Sequence, residues 1–133
     1  MMSLVSTVNL RVADDEIDEL GHVNNARFLE YLERGRMDWY NRCDPTLNDF
    51  TGHALGTVVV KIEINYRREC FSGAQLSCVT RAHSRGRTSY VLRQEILDDE
   101  DRCVCDATVT SVVMDMNSRA TTPLPESLAG QFA

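Results

Sequence analysis

The chain has 133 residues, the length of a single domain of ordinary size. Its formal net charge of -6 and pI near 5.0 argue against a surface that tracks nucleic-acid phosphates. No apolar run approaches the ~20 residues that span a bilayer, and no basic-then-apolar leader follows Met1, so a cytoplasmic protein without a membrane span is expected.

Leu4 to Val12 alternates between apolar and polar side chains, the pattern of a half-buried strand. Asp14 to Gly21 is too acidic for a sheet interior and closes on glycine, which makes it a loop. Asn24 or Asn25 can cap the helix that follows. Phe28, Tyr31, Leu32, Gly35 and Trp39 recur there at three- and four-residue spacing and form one apolar stripe. Arg27, Glu30, Glu33, Arg34 and Arg36 are expected largely on the other faces. Gly35 costs about 1 kcal/mol against alanine inside a helix; a close approach of the helix to a sheet would account for it. Asp44-Pro45 marks the helix exit.

Leu47 to Gly56 reads as an irregular connection, freed by Gly52 and Gly56, with Phe50 as a candidate anchor or ligand contact. From Val58 the period changes to two. Val58, Val60, Ile62, Ile64 and Tyr66 are expected on one face, and Val59, Lys61, Glu63, Asn65 and Arg67 on the other. Ala74 to Ala82 is a strand that runs into the His83–Arg87 connection. Thr88 to Leu97 returns, Asp98 to Asp101 turns, and Arg102 to Met114 is the last strand. Pro123-Leu124-Pro125 opens a tail expected to be extended and mobile. The order strand, helix, four strands suits one antiparallel sheet covered on one face by the helix. Such a layer leaves a face or an edge open, so dimerisation is expected, with the sheet continued across the subunit boundary.

Five cysteines, an odd number, argue against a disulfide framework. Cys103 and Cys105 flank Val104 in an alternating run, so both thiols are expected on one face as small packed hydrophobes. His22, His53 and His83 lack ligand spacing, and no metal is expected. There is no Gly-x-Ser-x-Gly elbow and no Gly-rich phosphate loop. Asp18 is the acid best placed for chemistry. It lies three residues before Gly21 and close to a helix start, whose first N–H groups are unpaired and can hold a developing oxyanion. A carboxylate there can attack or activate water; its ordinary alternative is loop solvation or capping. Histidine is the side chain whose ordinary pKa lies near neutrality, which makes His22 a second candidate for proton transfer.

The run Asp18-Glu19-Leu20-Gly21-His22-Val23-Asn24-Asn25-Ala26-Arg27-Phe28-Leu29-Glu30-Tyr31-Leu32-Glu33 resembles the signature of the hotdog-fold acyl-CoA thioesterases. The nearer resemblance is to the 4-hydroxybenzoyl-CoA thioesterase group and its long-chain acyl-CoA branch. Asp115 followed by Arg119 and Pro123-Leu124-Pro125 also looks like this family. Glu16-Ile17-Asp18 stands where the family often carries Asp-x-Asp, and Asn25 stands where some relatives carry a functional histidine.

The resemblance implies an α+β hotdog fold, a five-stranded antiparallel sheet wrapped around one long central helix, as a single domain over residues 1–133. It implies hydrolysis of an acyl-CoA to a carboxylic acid and coenzyme A, with Asp18 as nucleophile or general base. Coenzyme A is then part of the substrate, and no resident cofactor is implied. Backbone N–H groups around Asn24 to Ala26 would hold the thioester oxygen, with His22 and Val23 in the supporting loop. Arg67 and Arg68, or Arg81, Arg85 and Arg87 near the hairpin, are candidate phosphate contacts, and Ser89 a contact for the pantetheine arm. Phe28, Leu32, Val60 and Ile62 are candidate linings for the acyl group, each of which also suits ordinary core. A homodimer or dimer of dimers is implied. Two alternatives stand beside this reading: a thioesterase acting on acyl-carrier protein, and a non-catalytic acyl-CoA-binding module.

Overall fold

A computed structural model describes residues 3–48 and 55–132; Phe50, Gly52 and His53 lie outside them. The strands are β1 (Val5–Arg11), β2 (Leu55–Tyr66), β3 (Gln75–Arg85), β4 (Ser89–Leu97) and β5 (Cys103–Asp115), with the 19-residue helix α1 (Asn25–Cys43) between the first two. They form one five-stranded sheet in the order β1-β3-β4-β5-β2, antiparallel throughout. Consecutive hairpins make the middle of the sheet, β1 and β2 are its edges, and α1 lies across one face. This is the hotdog α+β fold.

The helix starts where Asn24 Oδ1 accepts the Ala26 N–H at 2.9 Å. It ends where the Asp44 N–H returns to Tyr40 O, just before Pro45. Its apolar stripe is buried as the spacing requires, with Phe28, Tyr31, Leu32 and Trp39 almost inaccessible. A Cβ on Gly35 would lie 2.5 Å from Cys78 Sγ and 3.0 Å from both Gln94 Nε2 and Thr80 Oγ1. The missing side chain therefore lets the helix backbone rest directly on β3 and β4. Packing is chiefly against β1 and β3 and less against β4, so a groove stays open between α1 and the inner face of edge strand β2.

Four sequence expectations are corrected. Arg36 is not on an exposed face; it is 8% accessible and reaches under the helix to Gln94. Helical spacing from Leu32 and Tyr40 puts it beside the apolar stripe, and its charge hid that position. In β2 the alternation breaks at a bulge, where Val59 pairs with Ser111 and Lys61 with Thr110. Val60 is the extra residue and is 58% accessible. Thr57 and Val59, rather than Val58 and Val60, thus share the inner face with Ile62, Ile64 and Tyr66.

A second irregularity, at Val104, pairs Ile96 with Cys105 but Leu97 with Cys103. Cys105 is fully buried in the core, while the Cys103 thiol lies 3.8 Å from Asp106 on the opposite face. The two thiols do not share a face. The tail is docked rather than free: Leu128 is completely buried, and Leu124 and Phe132 pack on the cluster of Trp39, Tyr40 and Tyr90. The short helix α2 (Glu126–Ala129) makes this possible by turning the chain after Pro125.

Candidate active site

The acidic loop before α1 is tightly built. Glu16 Oε1 accepts the Ala13 N–H at 2.8 Å, which gives that acid a structural task. Gly21 takes φ +84°, a left-handed conformation that costs glycine little. Around it Asp18 N–H donates to His22 O at 2.9 Å and Gly21 N–H to Asp18 O at 3.1 Å. Val23 N–H donates to Cys70 O at 2.8 Å and Asn24 N–H to Glu16 O at 3.2 Å, which ties the loop to the segment after β2.

This turn orients Asp18. Its Oδ1 accepts the Leu20 N–H at 2.9 Å, and its Oδ2 lies 3.7 Å from His22 Nε2. His22 Nδ1 in turn lies 3.9 Å from Glu69 Oε1. Glu69 is a site neighbour that sequence reasoning missed; it follows Arg67-Arg68 at a strand end, and no local pattern connects it to a histidine so far upstream. The Asp18 and His22 side chains are both partly accessible.

Beside them, a cavity of about 220 Å³ opens between the start of α1 and the end of β2. His22, Val23, Asn25, Phe28, Tyr66, Arg67, Arg68 and Glu69 line it. Asp18 is outside this lining and adjoins it through His22. Phe28 meets Tyr66 and Tyr31 edge-on, with ring centroids 5.7 and 5.8 Å apart. Tyr66 Oη donates to Asn25 O at 3.2 Å, bracing the helix start against the edge strand. Of the three expected oxyanion donors, Asn24 N–H and Ala26 N–H are already used, by Glu16 O and by Asn24 Oδ1. Only Asn25 N–H keeps no protein partner among the described residues, and it belongs to a cavity-lining residue.

The candidate substrate contacts divide. Arg67 is committed to Asp106, with Nε 2.7 Å from Oδ2, and holds that carboxyl below the usual carboxylate range. Arg68 is exposed at the cavity and pairs with no acid among the described residues. Arg81 lies along β3 opposite Val5, and Arg85, Arg87 and Ser89 lie at the β3–β4 hairpin. That hairpin is the far end of the sheet from Leu76 and the acidic turn, about 30 Å at ~3.3 Å per residue. One chain does not bring them to Asp18. Leu32 is wholly buried and the half-buried Ile62 packs on the same cluster, whereas Phe28 reaches the cavity. No described helix is long and apolar enough to cross a membrane.

Residues 12–132 match the family model described as the thioesterase-like superfamily. The chain is 35% identical over 111 residues to the long-chain acyl-CoA thioesterase FadM of Escherichia coli (strain K12), covering 83% of each chain. Among solved structures it is similar to YbaW from Escherichia coli, at 30% identity and a TM-score of 0.78, covering 94% of each chain. It is also similar to the PA2801 protein from Pseudomonas aeruginosa, at 26% identity and a TM-score of 0.85, covering 96% of this chain and 97% of that one.

Proposed function

The chain belongs to the thioesterase-like superfamily, and on that premise we propose that it hydrolyses an acyl-CoA to a carboxylic acid and coenzyme A. The observation that carries this reading is the cavity at the start of α1, where an unpartnered Asn25 N–H and His22 stand beside the Asp18 turn. The thioester carbonyl oxygen accepts from Asn25 N–H, which stabilises the negative charge that builds on it as the carbon becomes tetrahedral. Asp18 either attacks that carbon or takes a proton from the water that does. Collapse of the tetrahedral centre breaks the C–S bond and releases coenzyme A thiolate. In the direct-attack route, water then cleaves the mixed anhydride. His22 positions the Asp18 carboxylate, and Arg68 receives a phosphate of the departing coenzyme.

The 133 residues act as one domain, and two copies join through β2. Support for that pairing comes from an edge strand with Val59, Val60 and Tyr66 at 41%, 58% and 43% accessible, unusually apolar for an unpaired edge. A second copy there also roofs the groove between α1 and β2.

Asp18→Asn tests the chemistry. The variant is expected to keep its thermal midpoint within a few degrees and to lose at least about a hundredfold in turnover of long acyl-CoA substrates. Thiol release at the wild-type rate would overturn the role given to Asp18.

A further inference from the structure

At the end of α1 and β2 remote from the acidic turn lies a second cavity of about 430 Å³. Met37 and Val59 give it apolar walls, 39% and 41% accessible. Thr57 and Asn48 also line it, but they satisfy each other: Asn48 Nδ2 donates to Thr57 Oγ1 at 2.9 Å, and Thr57 N–H to Asn48 Oδ1 at 2.8 Å. Arg36 is the exception. It borders the cavity while only 8% accessible, and its guanidinium makes one hydrogen bond among the described residues, Nη1 to Gln94 Oε1 at 3.2 Å.

That bond solvates the charge without neutralising it. Gln94 is neutral, and its amide is itself engaged by Leu32 O and Thr80 Oγ1, both at 2.9 Å. No carboxylate pairs with Arg36 among the described residues; Asp38 is committed to Arg42, and Glu33 borders the same cavity without an ion pair. A guanidinium stays charged at any physiological pH, carries five donors, and is costly to bury unpaired. The chain holds 20 acidic residues against 14 basic ones, so acids are not scarce. A buried arginine with most of its donors unused, facing a roomy cavity, is built to be neutralised from outside the chain.

We propose that this cavity binds a carboxylate, and that the carboxylate is the far end of the acyl chain being hydrolysed. The proposal rests on the thioesterase reading above. From Asn25 to Arg36 the helix advances about 16 Å at ~1.5 Å per residue. Between them, seven-residue helical spacing places Leu29, 40% accessible, on the same side of α1 as Arg36, and the inner face of β2 carries Ile62 and Ile64. The site therefore suits a molecule with a thioester at one end, an apolar stretch, and an anion at the other. A methyl-terminated chain of the same length would bury the guanidinium still further without pairing it, a penalty that a polar site imposes on ligands lacking the matching group.

The test compares two acyl-CoA substrates of equal length, one ending in a carboxylate and one in a methyl group. Wild-type protein should favour the carboxylate-ended substrate by about tenfold or more in kcat/KM. Arg36→Met should abolish or reverse that preference through loss on the carboxylate-ended substrate alone, and Arg36→Lys, which keeps a charge without the fork, should be intermediate. Equal wild-type turnover of the two substrates would overturn the proposal. So would an Arg36→Met protein that loses both substrates alike, unfolds at lower temperature or changes oligomeric state, since each makes the arginine structural. A binding arm separates this from failure of the thioesterase reading: calorimetry of a free long-chain α,ω-dicarboxylic acid against the corresponding monocarboxylic acid. Asp18→Asn should retain the preference for the diacid and Arg36→Met should lose it, even if neither substrate is hydrolysed. No preference by the wild-type protein for the diacid would sink the site.

Discussion

Replacing Gly35 by alanine sets two effects of known size against each other. In an open helix the change would stabilise by about 1 kcal/mol. Here the new methyl group would meet Cys78 Sγ at 2.5 Å, and that sulfur is completely buried on β3 with no solvent to swing into. It would also press on Gln94 Nε2, which is held by Leu32 O and Thr80 Oγ1. Forcing an extra carbon into a packed core costs about 1–3 kcal/mol, and weakening one Gln94 hydrogen bond adds about 0.5–1.5 kcal/mol. The net loss is about 0.5–3.5 kcal/mol, or a fall in Tm of roughly 2–14 °C for a chain of this size. Urea unfolding followed by the fluorescence of the single tryptophan, Trp39, reads the change directly. A midpoint equal to or above that of the wild type would refute the close approach of helix to sheet. The double variant Gly35→Ala/Cys78→Ala refines the test. Removing the sulfur makes room for the methyl, so the two changes should couple by about 1 kcal/mol or more instead of adding.

Three further outcomes follow from the same packing. Asn24→Ala removes the acceptor for Ala26 N–H and should cost about 1 kcal/mol in thermal unfolding; a loss of only a few tenths would mean that the cap is idle. Asp106 is held below the usual carboxylate range, first by Arg67 and then by Asn65, so its stabilisation is complete above the unfolded value of ~3.9 and is lost as pH falls through the folded one. Asp106→Asn should therefore flatten the decline of stability on acidification below about pH 4, and identical acid titrations of the two proteins would contradict this. Burial pushes the Cys70 and Cys78 thiols up to about 11 and Cys105 up to about 12, whereas Cys103 is only partly covered. Alkylation of native protein at pH 8, mapped by mass spectrometry, should reach Cys103 well before those three; equal rates at Cys103 and Cys105 would contradict the irregularity at Val104.

The fold was legible because two periods alternate cleanly along the chain. Phe28, Tyr31, Leu32, Gly35 and Trp39 marked the buried stripe, and the strand patterns, with their turns, gave the sheet its members. Illegible features were those in which one residue changes a register or a charge contradicts a position. A bulge at Val60 leaves no local mark, since valine suits either face, yet it exchanges which valines meet the helix. Arg36 sits at a helical angle next to buried residues, but its charge made exposure the natural expectation. The acidic turn was found as a unit because Gly21 and the asparagines after it are local signals. Glu69 reaches the turn from a segment distant in sequence, and the Asn24 N–H is engaged by Glu16 O across the loop, a contact with no local signal. The hairpin arginines lie at the far end of β3 from the turn, a separation set by strand length that composition does not carry.

The docked tail has a consequence for the order in which the protein assembles. Trp39 is not covered by its own helix alone: its indole donates to Leu4 O at 3.1 Å and is faced by the ring of Phe132. Ser3 Oγ donates to Gln131 O at 2.7 Å, and Leu4 N–H to Gln131 Oε1 at 2.8 Å. These contacts join residues 128 and 127 positions apart. On a ribosome, α1 is finished long before residues 124–132 exist, so its tryptophan must wait, partly uncovered, while the four strands that follow it are made. Contacts that close such large loops form late. The docked segment thus acts as a latch on a helix made early, and a protein halted short of it would present an aromatic surface to whatever lies nearby.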